Sequence, residues 1–417
     1  MRIAFFTDTY WPQINGISEN IDTLRRQLEN KGHEVYIVAP KSSGYKETDD
    51  HVFRLTGVRY VKNPEQRMII PIPEKDLRML LRKKFDIVHI HTLGTAGFLG
   101  WEFAQLRDIP CVVTYHTLLN RYAHYFLKGK ILKPKVYEVG SRIFCNLCDL
   151  VVAPTQRVKD ELTSYGVKKD IEVVSGGIEL ERFKKRESGF LRNKIGLNRE
   201  DKIILYLGRL GKEKNIAFII KSLEKLLKRE KDTYLAIVGG GPEKEVLEDL
   251  VLSLGLKQKV LFTGFIERIN VPNIYSDSDI FVFASNTETQ GLTVPEAMAA
   301  GLPVVVVSDP AFEDIVFDER TGLVSDGDES EFVKKVESLL TDPGLREKLG
   351  LAGKDLVEKE FSAGSQAKNI LSAYKKATQI NAQKRKVRRI FISRIGLIRD
   401  FLNLNVAFAK FKGVIKF

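Results

Sequence analysis

The run MRIAFFTDTYWPQINGISENIDTLRRQLENKGHEVYIVA, residues 1–39, decides the fold. Met1 to Phe6 ends in an unbroken apolar run followed by polar Thr7 and Asp8, which predicts a buried strand. Ile17, Ile21, Leu24 and Leu28 recur at helical spacing, so Ile17 to Asn30 is expected to be an amphipathic helix that stops at Lys31-Gly32. Glu34 to Ala39 reads as the next strand. Strand, helix and strand in so short a span form a parallel βαβ unit, and the strands are apolar on both faces because helices cover both sides of such a sheet.

The alternation continues through strand-like runs at Asp86–His91, Cys111–Tyr115 and Leu150–Pro154. A second series follows at Ile203–Leu207, Tyr234–Val238, Val260–Phe262, Ile280–Phe283 and Val304–Val307. Between them Gly176 to Asn198 is polar and weakly periodic, which places a linker near residues 180–195. The expected fold class is therefore α/β, with two doubly wound parallel-sheet, Rossmann-like domains. Such sheets bind ligands beyond the carboxyl ends of their strands, so two facing domains would enclose a cleft.

The chain has 417 residues, 43% of them hydrophobic and 29% charged, a soluble globular composition with room for two or three domains. Its formal net charge of +12 invites an acidic partner, and the distribution of that charge narrows the choice. Residues 1–180 carry a balance of +5, residues 181–380 a balance of −2, and the last 37 residues a balance of +9. Cys111, Cys145 and Cys148 are too few to staple a fold of this size and point to a reducing compartment. No run approaches the length of a membrane span, and the N-terminus lacks the form of a signal peptide.

Three loops carry the chemistry. Asp8 to Gly16 leads from the first strand into the first helix, where Gly16 lets backbone approach a ligand and free helix amides would favour an anion; a tight turn explains the glycine equally well. Leu207-Gly-Arg-Leu-Gly-Lys-Glu-Lys214 sets Arg209, a planar fork, and Lys214, a mobile point charge, on one loop suited to a diphosphate, unless both are ordinary surface cations. Glu288-Thr-Gln-Gly-Leu-Thr-Val-Pro-Glu296 places two carboxylates eight apart, before and within a helix expected at Pro295 to Ala300. Each could accept hydrogen bonds from a pair of sugar hydroxyls; Glu296 could also be a first-turn carboxylate favoured by the helix dipole. Asp277-Ser-Asp279 has the letters of a metal motif but the setting of a helix-to-strand turn, and no metal is assigned to it.

The ordered set Gly16, GRLGKEKN, the E-x7-E pair and the EAMAAGLPV run that closes it resembles the retaining GT-B glycosyltransferases of family 4, over roughly residues 1–380. The resemblance implies an acceptor-side domain at 1–180, a nucleotide-sugar domain at 181–362, a crossover helix at 363–382 and an appended segment at 383–417. It implies that Gly16 contacts a donor diphosphate, that Arg209 and Lys214 neutralise it, and that Glu288 holds the donor sugar, flanked by Leu292 and Thr293. Glu296 would hold the ribose, and Phe265 and Ile266 would cup the base. His116, after the Cys111–Tyr115 strand, would lie beside the transferred sugar. No metal cofactor is implied as a requirement, and Mg2+ would at most be non-essential.

The Glu-Thr-Gln-Gly-Leu-Thr variant, with the aromatic and basic stretch around Tyr122, His124 and Tyr125, is similar to enzymes that glycosylate diacylglycerol. That likeness implies transfer of a hexose, glucose from UDP-glucose, to diacylglycerol at the membrane surface. Drawn as a helix, the segment from Lys384 has a basic face, with Arg388 and Arg389, opposite an apolar one that includes Phe391, as expected of a helix in an anionic interface; docking on the N-domain is the alternative. The wide apolar arc argues against nucleic acid. The resulting expectation is a cytoplasmic enzyme, peripheral on the inner face of the cell membrane. A polar glycan or lipopolysaccharide acceptor, and a non-catalytic sugar-nucleotide or membrane-binding protein, are the competing readings.

Overall fold

A computed structural model of the chain describes residues 1–13, 15–60, 63–116, 134–184, 187–285 and 288–386. Tyr122, His124, Tyr125, Arg388, Arg389 and Phe391 lie outside these residues, as does most of the predicted basic segment.

The first half builds β1 (Arg2–Phe6), α1 (Gly16–Asn30), β2 (Glu34–Pro40), β3 (Val52–Leu55), β4 (Gly57–Tyr60), β5 (Asn63–Ile69), α2 (Lys75–Arg82), β6 (Ile87–Ile90) and α3 (Thr95–Arg107), then β7 (Cys111–Thr114), α4 (Pro134–Leu147), β8 (Leu150–Ala153), α5 (Gln156–Ser164) and β9 (Ile171–Val173). Seven of these strands form one parallel sheet in the order β3-β2-β1-β6-β7-β8-β9. The strands read from the sequence form its centre. Edge strands β3 and β9 and the antiparallel hairpin β4-β5 carry weaker patterns and were not foreseen.

The second half contributes α6 (Phe190–Ile195), β10 (Lys202–Leu207), α7 (Ile216–Arg229), β11 (Thr233–Val238), α8 (Lys244–Ser253), β12 (Val260–Gly264), α9 (Val271–Ser276), β13 (Ile280–Phe283) and α10 (Thr293–Ala299), then β14 (Val304–Val307), β15 (Leu323–Ser325), α11 (Glu329–Thr341) and α12 (Pro343–Glu360). Its parallel sheet runs β12-β11-β10-β13-β14-β15. Both sheets thus reverse direction beside their first strand, between β1 and β6 and between β10 and β13. These are the positions where an open α/β sheet leaves a crevice for ligand.

A final helix, α13, covers residues 363–386. Ala367, Ile370, Tyr374 and Ala377 recur at three- and four-residue steps and are buried against Ile3, Phe5, Val35, Ile37 and Val152, so the C-terminal helix closes one face of the N-terminal sheet. The chain crosses between domains at two places that lie side by side. Ile178 N donates to Phe361 O at 2.8 Å, and Ala363 N donates to Ile178 O at 2.9 Å. The segment expected to be a loose linker at 180–195 is structured, with a 3-10 turn at Leu180–Phe183 and α6, because Phe183 and Leu191 are buried in the second domain's core.

The expected basic helix from Lys384 also needs correcting at its start. Lys384 and Arg385 continue α13, with Lys384 ion-paired to Asp149 and Arg385 Nε 2.8 Å from Asp108 Oδ2. These two cations are therefore committed to the first domain.

Candidate active site

The crevice between β10 and β13 is built from the loops that follow β10, β11, β12 and β13. Backbone bonds fix three of them to one another. Gly208 N reaches Val238 O at 3.0 Å, Gly239 N reaches Gly264 O at 3.0 Å and Leu210 N reaches Gly240 O at 2.9 Å. Gly239 has φ +137°, and a Cβ there would lie 1.9 Å from Gly208 O, so only glycine permits this approach. The Gly239-Gly240-Gly241 run is thus a strand-to-helix turn between β11 and α8.

Arg209 and Lys214 stand on the β10 loop, and each has a carboxylate partner: Glu213 for Arg209 and Glu288 for Lys214. The Lys214 and Glu288 side chains are 14% and 9% exposed, so this pair is mostly withdrawn from water. Glu288 begins a loop that turns at Gly291, where φ is +60° and a Cβ would strike the Phe312 ring at 2.5 Å. α10 begins at Thr293, two residues earlier than the sequence suggested. This puts Leu292 at the helix N-cap and Glu296 one turn inside, buried against Tyr275 and Arg268. Tyr275 Oη donates to Thr293 O at 3.1 Å and lies 3.4 Å from a Glu296 oxygen. Burial pushes the Glu296 carboxyl up, opposed by Arg268 and Arg182. Phe265, 76% exposed, and half-buried Ile266 follow β12, at the far end of the same rim.

On the facing domain, Gly16 is the first residue of α1, and nothing lies within 4 Å of where its Cβ would stand. The helix amides are not all free as expected. Asn15 Oδ1 accepts from Ile17 N and Ser18 N at 3.0 Å each, so Asn15 satisfies most of the first turn and the Gly16 position contributes space. In the same domain, half-buried Asp8 joins the two loops of the first switch point: Thr92 Oγ1 donates to it at 2.6 Å and Ala96 N at 2.9 Å.

His116 lies just beyond β7, with Nε2 3.1 Å from His91 Nδ1 and the two rings stacked. His91 packs ring to ring on His89 at 4.1 Å, and His89 bonds Tyr374 of α13 and Thr114 at 2.7 Å each. Burial lowers His116 to about 4 and His89 to about 3, and it holds His91 well below the usual imidazole range, so all three are neutral at pH 7. His116 also lines a small gap with Gly176 and Gln290, which brings it to the loop that carries Glu288.

Gln290 Nε2 donates to Ser175 Oγ at 2.7 Å. Gln290 of the motif variant and Ser175, far apart in the chain, are therefore partners across the domain boundary. Asp277 and Asp279 serve as turn acceptors: Asp277 takes Gly189 N and Leu191 N at 2.7 Å each, and Asp279 takes Ile203 N at 2.8 Å. Sequence reasoning missed Asp8, Glu213, Arg268 and Tyr275. Only Glu213, inside the basic loop, carried a local signal.

Residues 14–182 match the family model "Glycosyltransferase Family 4" and residues 187–356 match "Glycosyl transferases group 1". The alpha-monoglucosyldiacylglycerol synthase of Streptococcus pneumoniae is 32% identical over 353 residues, 83% of this chain and 80% of that protein. A protein of the same name from Acholeplasma laidlawii is 30% identical over 357 residues, 83% of this chain and 89% of the relative. In fold the chain is similar to Anabaena HepE, solved in complex with UDP, with a TM-score of 0.71, 17% identity and coverage of 89% and 99% of the two chains. The chain belongs to the family 4 glycosyltransferases of GT-B architecture and is a hexosyltransferase. Within that family it is diacylglycerol glucosyltransferase-like.

Proposed function

We propose that the protein transfers glucose from UDP-glucose to diacylglycerol at a membrane surface, with retention at the anomeric carbon. The observation that carries this reading is the Lys214–Glu288 pair at the β10/β13 switch point, in a chain two of whose relatives, each matched over four fifths of its length, are named for glucosyldiacylglycerol synthesis. A nucleotide-sugar donor suits the crevice. Arg209 and Lys214 would bind the diphosphate and take up charge as it leaves. Glu288 would exchange its bond to Lys214 for the hydroxyls of the sugar, so its work is orientation rather than nucleophilic attack. Glu296 would accept the ribose hydroxyls, and Phe265 and Ile266 would flank the base.

Gly16 leaves room for the diphosphate, and Leu292 and Thr293 form the floor between the two carboxylates. His116, neutral and anchored through His91, accepts or donates a hydrogen bond beside the transferred sugar without adding charge to the site. Tyr122, His124, Tyr125, Arg388, Arg389 and Phe391 are assigned to the acceptor and membrane side from the sequence. Among the described residues no helix is long and apolar enough to cross a membrane.

The test is to incubate the protein with labelled UDP-glucose, UDP-galactose or GDP-mannose and diacylglycerol vesicles, and to follow label into the lipid phase. UDP-glucose is expected to give labelled glycolipid; no lipid-phase label from any donor overturns the reading. Replacing Arg388, Arg389 and Phe391 by Ala is expected to weaken flotation with anionic vesicles, and unchanged flotation would remove the anchoring role.

A further inference from the structure

We propose that Arg268 is a positioning residue for the donor, aiming the Glu296 carboxylate at the nucleoside and tying it to helix α1 across the cleft. The proposal rests on the reading that Glu296 receives the nucleoside. Arg268 stands four residues past β12, outside every motif noted in the sequence. Its guanidinium pairs with Glu19 in the first turn of α1, and its Nη2 lies 3.7 Å from Glu296 Oε1. A planar fork is well made to span two carboxylates that belong to different domains.

The backbone around Arg268 is held as well. Arg182 Nη2 donates to Arg268 O at 2.6 Å, and Arg182 comes from the 3-10 turn that follows the domain crossing. Two elements thus touch Glu296, α9 through Tyr275 and the turn after β12 through Arg268, and Arg268 in turn is held by the crossing segment through Arg182 and by α1 through Glu19. A cavity of about 730 Å³ opens on the α1 side of Arg268, lined by Glu19, Arg26, Arg182, Arg268 and Ile269 and not by Glu296. The charges are arranged so that one cation serves both the carboxylate meant for ligand and the helix that begins at Gly16.

The physical need is specific. Glu296 is mostly withdrawn from water, which favours its neutral form, and Arg268 and Arg182 oppose this. A carboxylate accepts two hydroxyls at once, whereas a carboxylic acid uses one oxygen to donate and loses the paired geometry. Removal of the Arg268 cation should therefore weaken nucleotide binding, and should do so most at low pH.

The experiment is UDP binding by calorimetry and donor KM and kcat for the full chain and for Arg268→Gln, Arg268→Lys and Glu296→Gln, from pH 6 to 8. Arg268→Gln is expected to raise the UDP Kd and donor KM about two- to fivefold, the worth of a partly exposed ion pair, with a smaller change in kcat. Its Kd should fall more steeply with rising pH than that of the unmodified protein, since the titration of UDP itself is common to both, and Arg268→Lys should restore most of the affinity. A structural defect alone would not produce that pH dependence or the rescue. If Arg268→Gln binds UDP as the unmodified protein does while Glu296→Gln is weakened, the role of Arg268 is overturned and the nucleoside reading stands. If Glu296→Gln also leaves UDP binding unchanged, the nucleoside reading itself fails.

Discussion

Lys214 and Glu288, at the carboxyl ends of the adjacent strands β10 and β13, are ion-paired in a pocket that water barely reaches. Each is the counter-charge that keeps the other buried before ligand arrives, so binding exchanges partners instead of stripping water from bare charges. Lys214→Ala and Glu288→Ala are each expected to lower kcat/KM by about a hundred- to a thousandfold, the range for removing one preorganised charge from a transition state. Because each substitution strands the other member of the pair, the double variant should lose much less than the product of the two losses. Full multiplicativity in the kinetics would show that the two side chains act separately.

Much of this site is legible in the sequence because its members sit on loops directly after strands, and apolar runs announce those strands. Arg209, Lys214, Glu288 and Glu296 all emerge this way, and the βαβ alternation gives both sheets. Other parts depend on contacts between segments far apart in the chain. Arg268 gains its meaning from Glu19, Ser175 from Gln290 and His89 from Tyr374 of α13, none of which shares a local pattern with its partner. The edge strands β3 and β9 were illegible for a related reason: pairing on one side only demands a less continuous apolar run. Asn15 is instructive at shorter range, since a cap that bonds Ile17 and Ser18 removes amides that the sequence offered to an anion.

The three neighbouring histidines, packed ring against ring, predict an acid-sensitive fold. His89 titrates at about 3 and His116 at about 4 in the folded protein, against 6.5 for a free imidazole, so below 6.5 the unfolded chain binds protons that the folded one refuses. Stability from these groups is complete above 6.5 and is lost as pH falls, at about 1.4 kcal/mol per pH unit for each histidine. Burial raises Asp8 and Glu296, which works in the opposite sense at lower pH, so the slope is best read by difference. Urea midpoints at pH 7.5 and 5.0 should fall by less in His116→Gln than in the unmodified protein. Equal falls in the two proteins would remove His116 from the set.

The β11 turn makes a prediction about backbone. Gly239→Ala places a methyl group against Gly208 O and forces an unfavourable φ, so the β10 loop must move outward and carry Arg209 and Lys214 with it. Donor affinity should drop at least about tenfold even if the variant folds, because a displacement of about 1 Å at a catalytic loop costs that much or more. Gly240→Ala is the control, since its Cβ meets nothing within 4 Å and its φ is ordinary. Equal donor affinity in the two variants would show that the laced loops do not set the cation positions.

The domain interface offers the sharpest stability test. Arg157, second residue of α5, is ion-paired with Asp309 of the other domain, and their side chains are only 8% and 3% exposed. Asp309 also accepts Ala311 N at 2.9 Å, which fixes its carboxylate toward the arginine. Arg157→Met leaves that carboxylate buried without its cation, a loss of about 3–5 kcal/mol, whereas Arg157→Met with Asp309→Leu removes both charges and should recover most of it. Calorimetric unfolding distinguishes what the pair does. If it couples the domains, the single variant should split one transition into two, and the double variant should rejoin them. A double variant as unstable as Arg157→Met would mean that the loss comes from packing around Arg157, with no contribution from the stranded charge of Asp309.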